Sequence, residues 1–366
     1  MISKKGGVKK RVIVAMSGGI DSSTAAYLLL KQGFEVIGVN LRLWGYPAAQ
    51  KVSTLDREPF RAAEYSHPAN DAETTASRLG IPFYILDYEK EFEKEVIEYF
   101  SKEYRNGRTP NPCIMCNKKI KFKSLLKKAK DLEADYIATG HYVRVKYDKE
   151  RRRYILKKAK DKEKDQSYFL YSLSQELLKR SLFPLGDYTK NDVKKLAKKI
   201  GMELGDKPAS QEICFIPDDD YKSFLMKRFP NIARPGPIIK EKGQVLGQHQ
   251  GIAFYTIGQR RGLGISYKSP LYVLAIDKKR NTIVVGEESQ IYSKRLLATN
   301  INWVSIDRTN GSLRVKAQIR YRHLPSEAII SRPGRNKVNP VRNMDAEGNN
   351  NFFTPLEKNS LTWQAG

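Results

Sequence analysis

Cysteine is nearly absent from this chain of 366 residues, which has only Cys113, Cys116 and Cys214. So small and odd a number excludes a secreted disulfide framework and points to a reducing compartment, the cytoplasm. Long apolar runs are also missing. None approaches the roughly 20 residues of a membrane span, so no membrane partner is expected. The start, Met1-Ile2-Ser3-Lys4-Lys5, is basic but runs straight into the first strand, which is not the layout of a signal peptide. Acidic residues are outnumbered: 40 Asp plus Glu stand against 66 Lys plus Arg, a net charge of +26. An excess of this size usually serves a polyanion, although a solvated lysine-rich surface gives the same count. Two common nucleotide signatures, G-x-x-x-x-G-K-[ST] and G-x-G-x-x-G, are absent as well. There is no internal repeat and no recognisable glutaminase region.

What is present begins near the N-terminus. An apolar run, Val12 to Met16, leads into Ser17-Gly18-Gly19-Ile20-Asp21-Ser22, and a helix-like stretch runs on from Ser23 to Lys31. A strand entering a Gly-rich turn and then a helix can cradle a phosphate. Gly lets the backbone approach a ligand closely, and the unpaired amides at the helix start point at an anion. Ser17 and Ser22 offer hydroxyls, and Asp21 offers a carboxylate for a cation such as Mg²⁺. The bland alternative is a plain glycine turn. The loop resembles the PP-loop of ATP pyrophosphatases, which implies that ATP is split to AMP and pyrophosphate while a substrate is adenylated.

Strand and helix patterns then alternate. Glu35–Leu41, Pro82–Leu86 and Asp135–Thr139 read as strands, while Asp71–Leu79, Glu91–Tyr104 and Lys118–Lys130 read as helices, the last basic on its outer face. This alternation predicts an α/β fold, a parallel sheet with helices on both faces and ligands at the carboxyl ends of its strands. A further helix is expected over Lys190–Ile200. Beyond it, short strands are expected at Leu271–Ile276, Thr282–Val285, Ile301–Val304 and Arg314–Arg320, a mainly-β region ending in a small barrel. The expected division is 1–207 for the ATP-binding domain, 208–280 for a small central domain and 281–366 for a β-barrel-like domain. Residues 332–366 are atypical, with no convincing strand, and read as a disordered tail.

Cys113 and Cys116 lie in Arg108-Thr109-Pro110-Asn111-Pro112-Cys113-Ile114-Met115-Cys116-Asn117-Lys118. Asn117 suits a helix N-cap, which would put Cys116 near a helix N-terminus with Lys118 and Lys119 close by. Both features would favour thiolate. Structural zinc wants four ligands, and three cysteines with four histidines present no obvious set. Sulfur chemistry is the better account. A thiolate can carry persulfide sulfur that a second thiol releases, or three cysteines can hold three irons of a [4Fe-4S] cubane and leave the fourth open.

The chain closely resembles the bacterial tRNA-specific 2-thiouridylases, which thiolate the wobble uridine of tRNAs for Lys, Glu and Gln. The resemblance spans about Arg11 to about His323. It rests on Ala15–Ser22, Gly107–Phe122, Ala138–Tyr142, Lys164–Tyr168, Ser210–Phe215, Gly251–Gly264 and Arg320–Arg322. It implies that Ala15, Met16, Ser17, Gly18, Gly19, Ile20, Asp21, Ser22, Leu41 and Gly140 bind ATP. It implies that Asn111, Pro112 and Cys113 border the target base, that Cys116 is the nucleophile and that Cys214 is the persulfide carrier. Lys164, Asp165, Gln166, Arg320 and Tyr321 would contact tRNA, with His141 near the base. A sulfur-donor or relay protein is implied as a partner, and a Cys116–Cys214 disulfide as an intermediate. The chain departs from the family pattern at Cys113, where many members have Asp, and after Ser331, where the closing strands and a Pro-Gly-Gln motif are lacking. Two rival readings are another PP-loop enzyme that adenylates a small substrate and a non-catalytic RNA-binding relative.

Overall fold

The computed structural model describes residues 9–44, 68–202, 213–216, 219–293, 295–309, 311–331 and 361–365. The chain divides into two compact units. The first holds residues 1–98, 112–215 and 304–306, and the second holds 99–111, 216–303 and 307–366.

The first unit is built on strands β1 (Arg11–Ala15), β2 (Glu35–Arg42), β3 (Phe83–Asp87), β4 (Tyr136–Ala138) and β7 (Ser181–Leu182), all parallel, in the order β3-β2-β1-β4-β7. The period of two along β1 explains why both faces are covered. Ile13 joins one buried cluster with Ile37, Val39 and Ile137, while Val12, Val14 and Met16 join another with Val36 and Ala138. Helix α1 (Ile20–Lys31) supplies Ala26 and Leu29 to the second cluster, and α2 (Pro68–Leu79) supplies Ala72 and Ala76. On the opposite face α6 (Phe122–Asp131) presents Phe122, Leu125, Leu126 and Ala129. Each large apolar side chain buried there stabilises the layer by about 1.5–3 kcal/mol. The helical α/β layout matches the sequence pattern. Strand order runs outward from β1 in one direction and then resumes at β4 on its other side. The carboxyl ends of β1 and β4 therefore flank a topological switch point, where open α/β sheets bind ligands.

Two helical stretches are widened. α3 (Glu89–Phe92) passes through a π-helical turn (Glu93–Ile97) into α4 (Glu98–Arg105), and α5 (Pro112–Met115) passes through another (Cys116–Lys121) into α6. The remaining elements of the first unit are a hairpin of β5 (Arg144–Asp148) and β6 (Arg153–Lys157), then α7 (Gln175–Arg180) and α8 (Lys190–Lys199). Thr189 caps α8 in a reciprocal box with Asp192, which fixes where Lys190, its first residue, stands.

Among its described residues the second unit is mainly β, with α9 (Tyr221–Arg228) and all but the first residue of α4. One sheet has the order β10 (Tyr272–Asp277), β11 (Thr282–Gly286), β8 (Gly236–Lys240), β9 (Val245–His249). The other has the order β12 (Arg295–Ala298), β15 (Leu361–Ala365), β14 (Ser326–Ser331), β13 (Leu313–Ala317) and is antiparallel. Three expectations are corrected. Ile301–Val304 is not a strand; the Val304 carbonyl instead accepts from Gln175 at 3.0 Å and Arg153 at 3.3 Å, both in the first unit with it. The strand expected over Arg314–Arg320 ends at Ala317. Leu361–Ala365 does form a strand, paired on both sides, within the region expected to have none. The rest of the expected tail, 332–360 and 366, lies outside the described residues.

Candidate active site

The loop after β1 is shaped by its glycines. Gly18 has φ of +79°, a conformation that L side chains rarely adopt, and Gly19 enters α1 as an N-cap without a side chain. Ser22 braces the turn: its hydroxyl accepts from the Ser17 amide at 3.1 Å and donates to the Gly19 carbonyl at 3.0 Å. The Ser22 proton is therefore used inside the loop, and the Ser17 hydroxyl, 3.4 Å from Ser22 Oγ, is placed to donate to it. The amides of Ile20, Asp21 and Ser22 precede the first intrahelical bond and stand ready for an anion. Asn40 of β2 holds the Met16 carbonyl at 2.8 Å. Met16 itself is buried, so its side chain packs the core, and Leu41 lies at the carboxyl end of β2 opposite Leu86. Gly140, just after β4, sits against the loop. A Cβ there would lie 2.7 Å from the Ser22 nitrogen.

Asp21 is not free. Lys190 donates to both carboxylate oxygens, at 2.6 and 2.8 Å, and the Tyr142 hydroxyl donates to the first of them at 2.8 Å. Burial, and then the neighbouring Asp21 charge, hold the Tyr142 hydroxyl far above its ordinary value. With both oxygens engaged, Asp21 presents no ready Mg²⁺ site, and among the described residues no group of three metal-ligating side chains occurs. Sequence reasoning foresaw neither Lys190 nor Tyr142, because both come from distant elements.

All three cysteines are free thiols. Cys116 is buried, whereas Cys113 and Cys214 are exposed. The expectation of a thiolate at Cys116 is corrected. The helix begins at Pro112, so Cys116 lies inside the π-helical turn and not at a helix N-terminus. Asn117 is buried and donates to the Phe169 carbonyl at 3.2 Å, so it caps nothing. Burial pushes the Cys116 thiol up to about 11. Cys113 and Cys214 reach solvent but are crowded on their inner sides, and the same desolvation holds them above their ordinary value. The opposing cation is Lys121, not Lys118, which is exposed, or Lys119, which pairs with Glu95 at 3.5 Å. In a π-helical turn a residue bonds to the fifth one along instead of the fourth. That brings Lys121 round toward Cys116, where its ammonium favours the anionic form of all three thiols. The Trp44 indole also donates toward the Cys214 sulfur and acts in the same direction.

His141 joins the two halves of the site. It follows Gly140, its Nδ1 bonds the Thr139 hydroxyl at 2.7 Å, and burial, with Lys121 close by, lowers its ring to about 3. The imidazole is therefore neutral across the physiological range. Of the residues expected at tRNA, Asp165 accepts from the Ala159 amide and the Ser167 hydroxyl, and Gln166 exchanges bonds with the Tyr142 backbone. Both brace loops. Lys164 is joined among the described residues through its backbone amide, to Asp161. In the second unit Arg320 donates to the Ile257 carbonyl at 2.7 Å. Arg320 and Tyr321 lie in a turn whose carbonyls accept from Gln318. Asn111 directly precedes α5, whose first residue is Pro112.

Residues 10–218 match the family model described as the tRNA methyl transferase HUP domain, and residues 222–287 match the tRNA methyl transferase PRC-barrel domain. The chain is 48% identical over 335 residues to the tRNA-specific 2-thiouridylase MnmA of Carboxydothermus hydrogenoformans, covering 92% of this chain and 90% of that protein. It is 49% identical to the tRNA-specific 2-thiouridylase MnmA 1 of Caldanaerobacter subterraneus, covering 90% of each. It is 45% identical to the tRNA-specific 2-thiouridylase MnmA of Clostridioides difficile, covering 91% of each.

Proposed function

Because the chain belongs to the tRNA-specific 2-thiouridylase family, we propose that it replaces the 2-oxygen of the tRNA wobble uridine with sulfur at the expense of ATP. The observation that carries this reading is the short segment Thr139-Gly140-His141. Gly140 packs on the Asp21–Ser22 backbone of the loop, and the next residue, His141, lies near Lys121, the cation of the cysteine set. One corner of the sheet thus presents an anion-binding turn and three sulfurs. Although the matched family models are described by methyl transfer, these cysteines favour sulfur as the group delivered.

In the first step the uridine 2-oxygen bonds the α-phosphorus of ATP. The bond from that phosphorus to the bridging oxygen breaks, and its electron pair leaves with pyrophosphate. The first-turn amides of α1 offset the charge on the departing group. Mg²⁺ accompanies ATP in PP-loop chemistry, and Asp21, engaged by Lys190 and Tyr142, does not offer it a ready carboxylate. Sulfur is loaded when the Cys214 thiolate attacks the terminal sulfur of a donor protein's persulfide, and the donor leaves as a thiolate. The Cys214 persulfide loses its proton to water, and its terminal sulfur bonds C2 of the adenylated uridine. The buried Cys116 thiol loses its proton to water as the Lys121 ammonium offsets the charge, and its sulfur attacks Cys214 Sγ. The sulfur–sulfur bond breaks with its electron pair on the transferred sulfur, and a Cys116–Cys214 disulfide forms. Collapse at C2 breaks the carbon–oxygen bond and releases AMP. An external thiol must reduce the disulfide before the next turnover.

The [4Fe-4S] alternative on Cys113, Cys116 and Cys214 finds no metal-ligating group among the described residues, so no step runs through a cluster. Lys164, Arg320 and Tyr321 would meet tRNA, and the exposed row Lys118, Lys123, Lys127 and Lys130 suits its phosphates. No helix among the described residues is long and apolar enough to cross a membrane, and we place the reaction in the cytoplasm. We also keep 1–207, 208–280 and 281–366 as the catalytic, central and barrel-like tRNA-binding segments. The test is formation of 2-thiouridine on unmodified tRNA with ATP and a persulfide donor. Wild type should form it, and Cys116→Ser and Cys214→Ser should not. Wild type without product, or undiminished product in both variants, would defeat the reading.

A further inference from the structure

Phosphate-binding loops commonly carry a lysine of their own. This loop does not: from Ala15 to Thr24 there is no Lys or Arg, and the charged residue it does have is Asp21. A carboxylate in the first turn of α1 would repel the very anion that the amides attract. The structure places a cation there from 169 residues away, Lys190. It is the first residue of α8, and its amide is fixed by Asp161 at 2.9 Å, so its backbone position is set by two independent devices, this bond and the Thr189–Asp192 cap. α1 and α8 pack side by side, with Ala25 and Leu28 in one buried cluster with Val193.

An ammonium has three protons. Two of those on Lys190 go to the Asp21 oxygens, and the third has no partner among the described residues. Its side chain keeps 21% of its surface exposed and that of Asp21 keeps 36%, so the pair is open to a ligand and not sealed in the core. The Tyr142 ring, with its centroid 5.9 Å from the ammonium, backs the charge on one side. A purely structural pin between two helices needs neither an open face nor a spare proton.

We propose that Lys190 is a further nucleotide-binding residue, the phosphate-facing cation that this loop lacks in its own sequence. The proposal rests on the ATP reading above. It gives Asp21 a second task, because its carboxylate holds the ammonium at the mouth of the loop in the absence of nucleotide. When a triphosphate enters, the spare proton of Lys190 bonds a phosphate oxygen, and Asp21 keeps the ammonium pointed there. Lys190 is thus a specificity element for the phosphate chain and has no part in recognising adenosine.

The test compares two probes, a non-hydrolysable ATP analogue and adenosine, on the full chain by calorimetric titration. Lys190→Met should weaken the analogue roughly ten- to a hundredfold, the effect of one charge-assisted hydrogen bond, and leave adenosine affinity unchanged. Lys190→Arg should recover part of the loss, and the melting temperature should move by only a few degrees. Equal losses for both probes, or none for either, would overturn the proposal in favour of a helix pin. Should Lys190→Met not fold, Lys190→Gln retains a donor without the charge, and the same comparison decides. Wild-type protein that binds adenosine but gains nothing from the triphosphate would remove the ATP reading itself, an outcome distinct from a variant-specific effect.

Discussion

Gly140→Ala tests the join between β4 and the loop most directly. The added methyl would lie 2.7 Å from the Ser22 nitrogen, 2.8 Å from the Asp21 carbonyl carbon and 3.0 Å from Ser22 Cα. All three atoms are backbone in the first turn of α1, so no side chain can rotate away. Overpacking against an unyielding neighbour costs about 1–3 kcal/mol. For a unit of this size each kcal/mol lowers the melting temperature by about 2–4 °C, so the expected fall is roughly 2–12 °C. The displaced atoms include the Ser22 amide, one of the three first-turn amides proposed to bind phosphate, so affinity for an ATP analogue should fall along with stability. Gly19→Ala separates the two effects. Gly19 has an ordinary φ of −83°, and the nearest atom to its Cβ would be the Ser17 hydroxyl at 3.7 Å. Stability should stay within about 0.5 kcal/mol of wild type, while the methyl group obstructs the approach to the amides. Scanning calorimetry gives the first quantity and isothermal titration the second. A Gly140→Ala protein with wild-type melting and wild-type nucleotide affinity would refute the packing argument.

With Cys116 at about 11, fewer than roughly one in a thousand of its side chains are thiolate at pH 7.5. Iodoacetamide followed by peptide mass spectrometry should therefore label Cys113 and Cys214 well before Cys116, and Lys121→Gln should slow Cys116 further; equal rates at all three would contradict the burial. His141, lowered to about 3, should show a flat imidazole proton shift between pH 5 and 8 in NMR titration. Its folded value lies below its unfolded one, so the stability it contributes is complete above about pH 6.5 and is lost as pH falls toward 3. A titration midpoint near 6.5 would show that the ring is solvated. Protein purified without oxygen should hold no stoichiometric iron and should thiolate tRNA from a persulfide donor; activity that needs bound iron would restore the cluster.

The first unit was readable where apolar residues run together. Val12–Met16, Glu35–Leu41 and Pro82–Leu86 carry enough β-branched and apolar side chains to mark buried parallel strands, and the glycine turn after the first of them is a local signal. β7, two residues long, gives no periodic pattern. β5 and β6 hide among charged residues, Arg144, Lys146, Arg153 and Lys157, because that hairpin is half exposed. The apolar run Ile301–Val304 misled because such a run shows only that burial is available, not whether the backbone bonds to a neighbouring strand. The site failed to be legible for a different reason. Charge state depends on what surrounds a side chain in space, so Cys116 looked activated by its sequence neighbours until burial and the widened helical turn were known. Lys190 could not be linked to Asp21 by any local rule, because the register of α8 against α1 is set by tertiary packing.

Neither compact unit is one unbroken stretch of chain. Residues 99–111 group with the second unit, where Thr109 bonds Thr256 at 3.0 Å and Lys278 bonds Asn106 at 2.6 Å. Residues 304–306 group with the first. A protein cut after residue 215 would therefore lack the Val304 carbonyl and leave the Gln175 amide short of an acceptor. A fragment starting at residue 216 would lack the segment that carries Thr109 and Asn106. No single scission gives either unit whole. Gene fragments that divide the chain at a single point therefore deliver two incomplete folds.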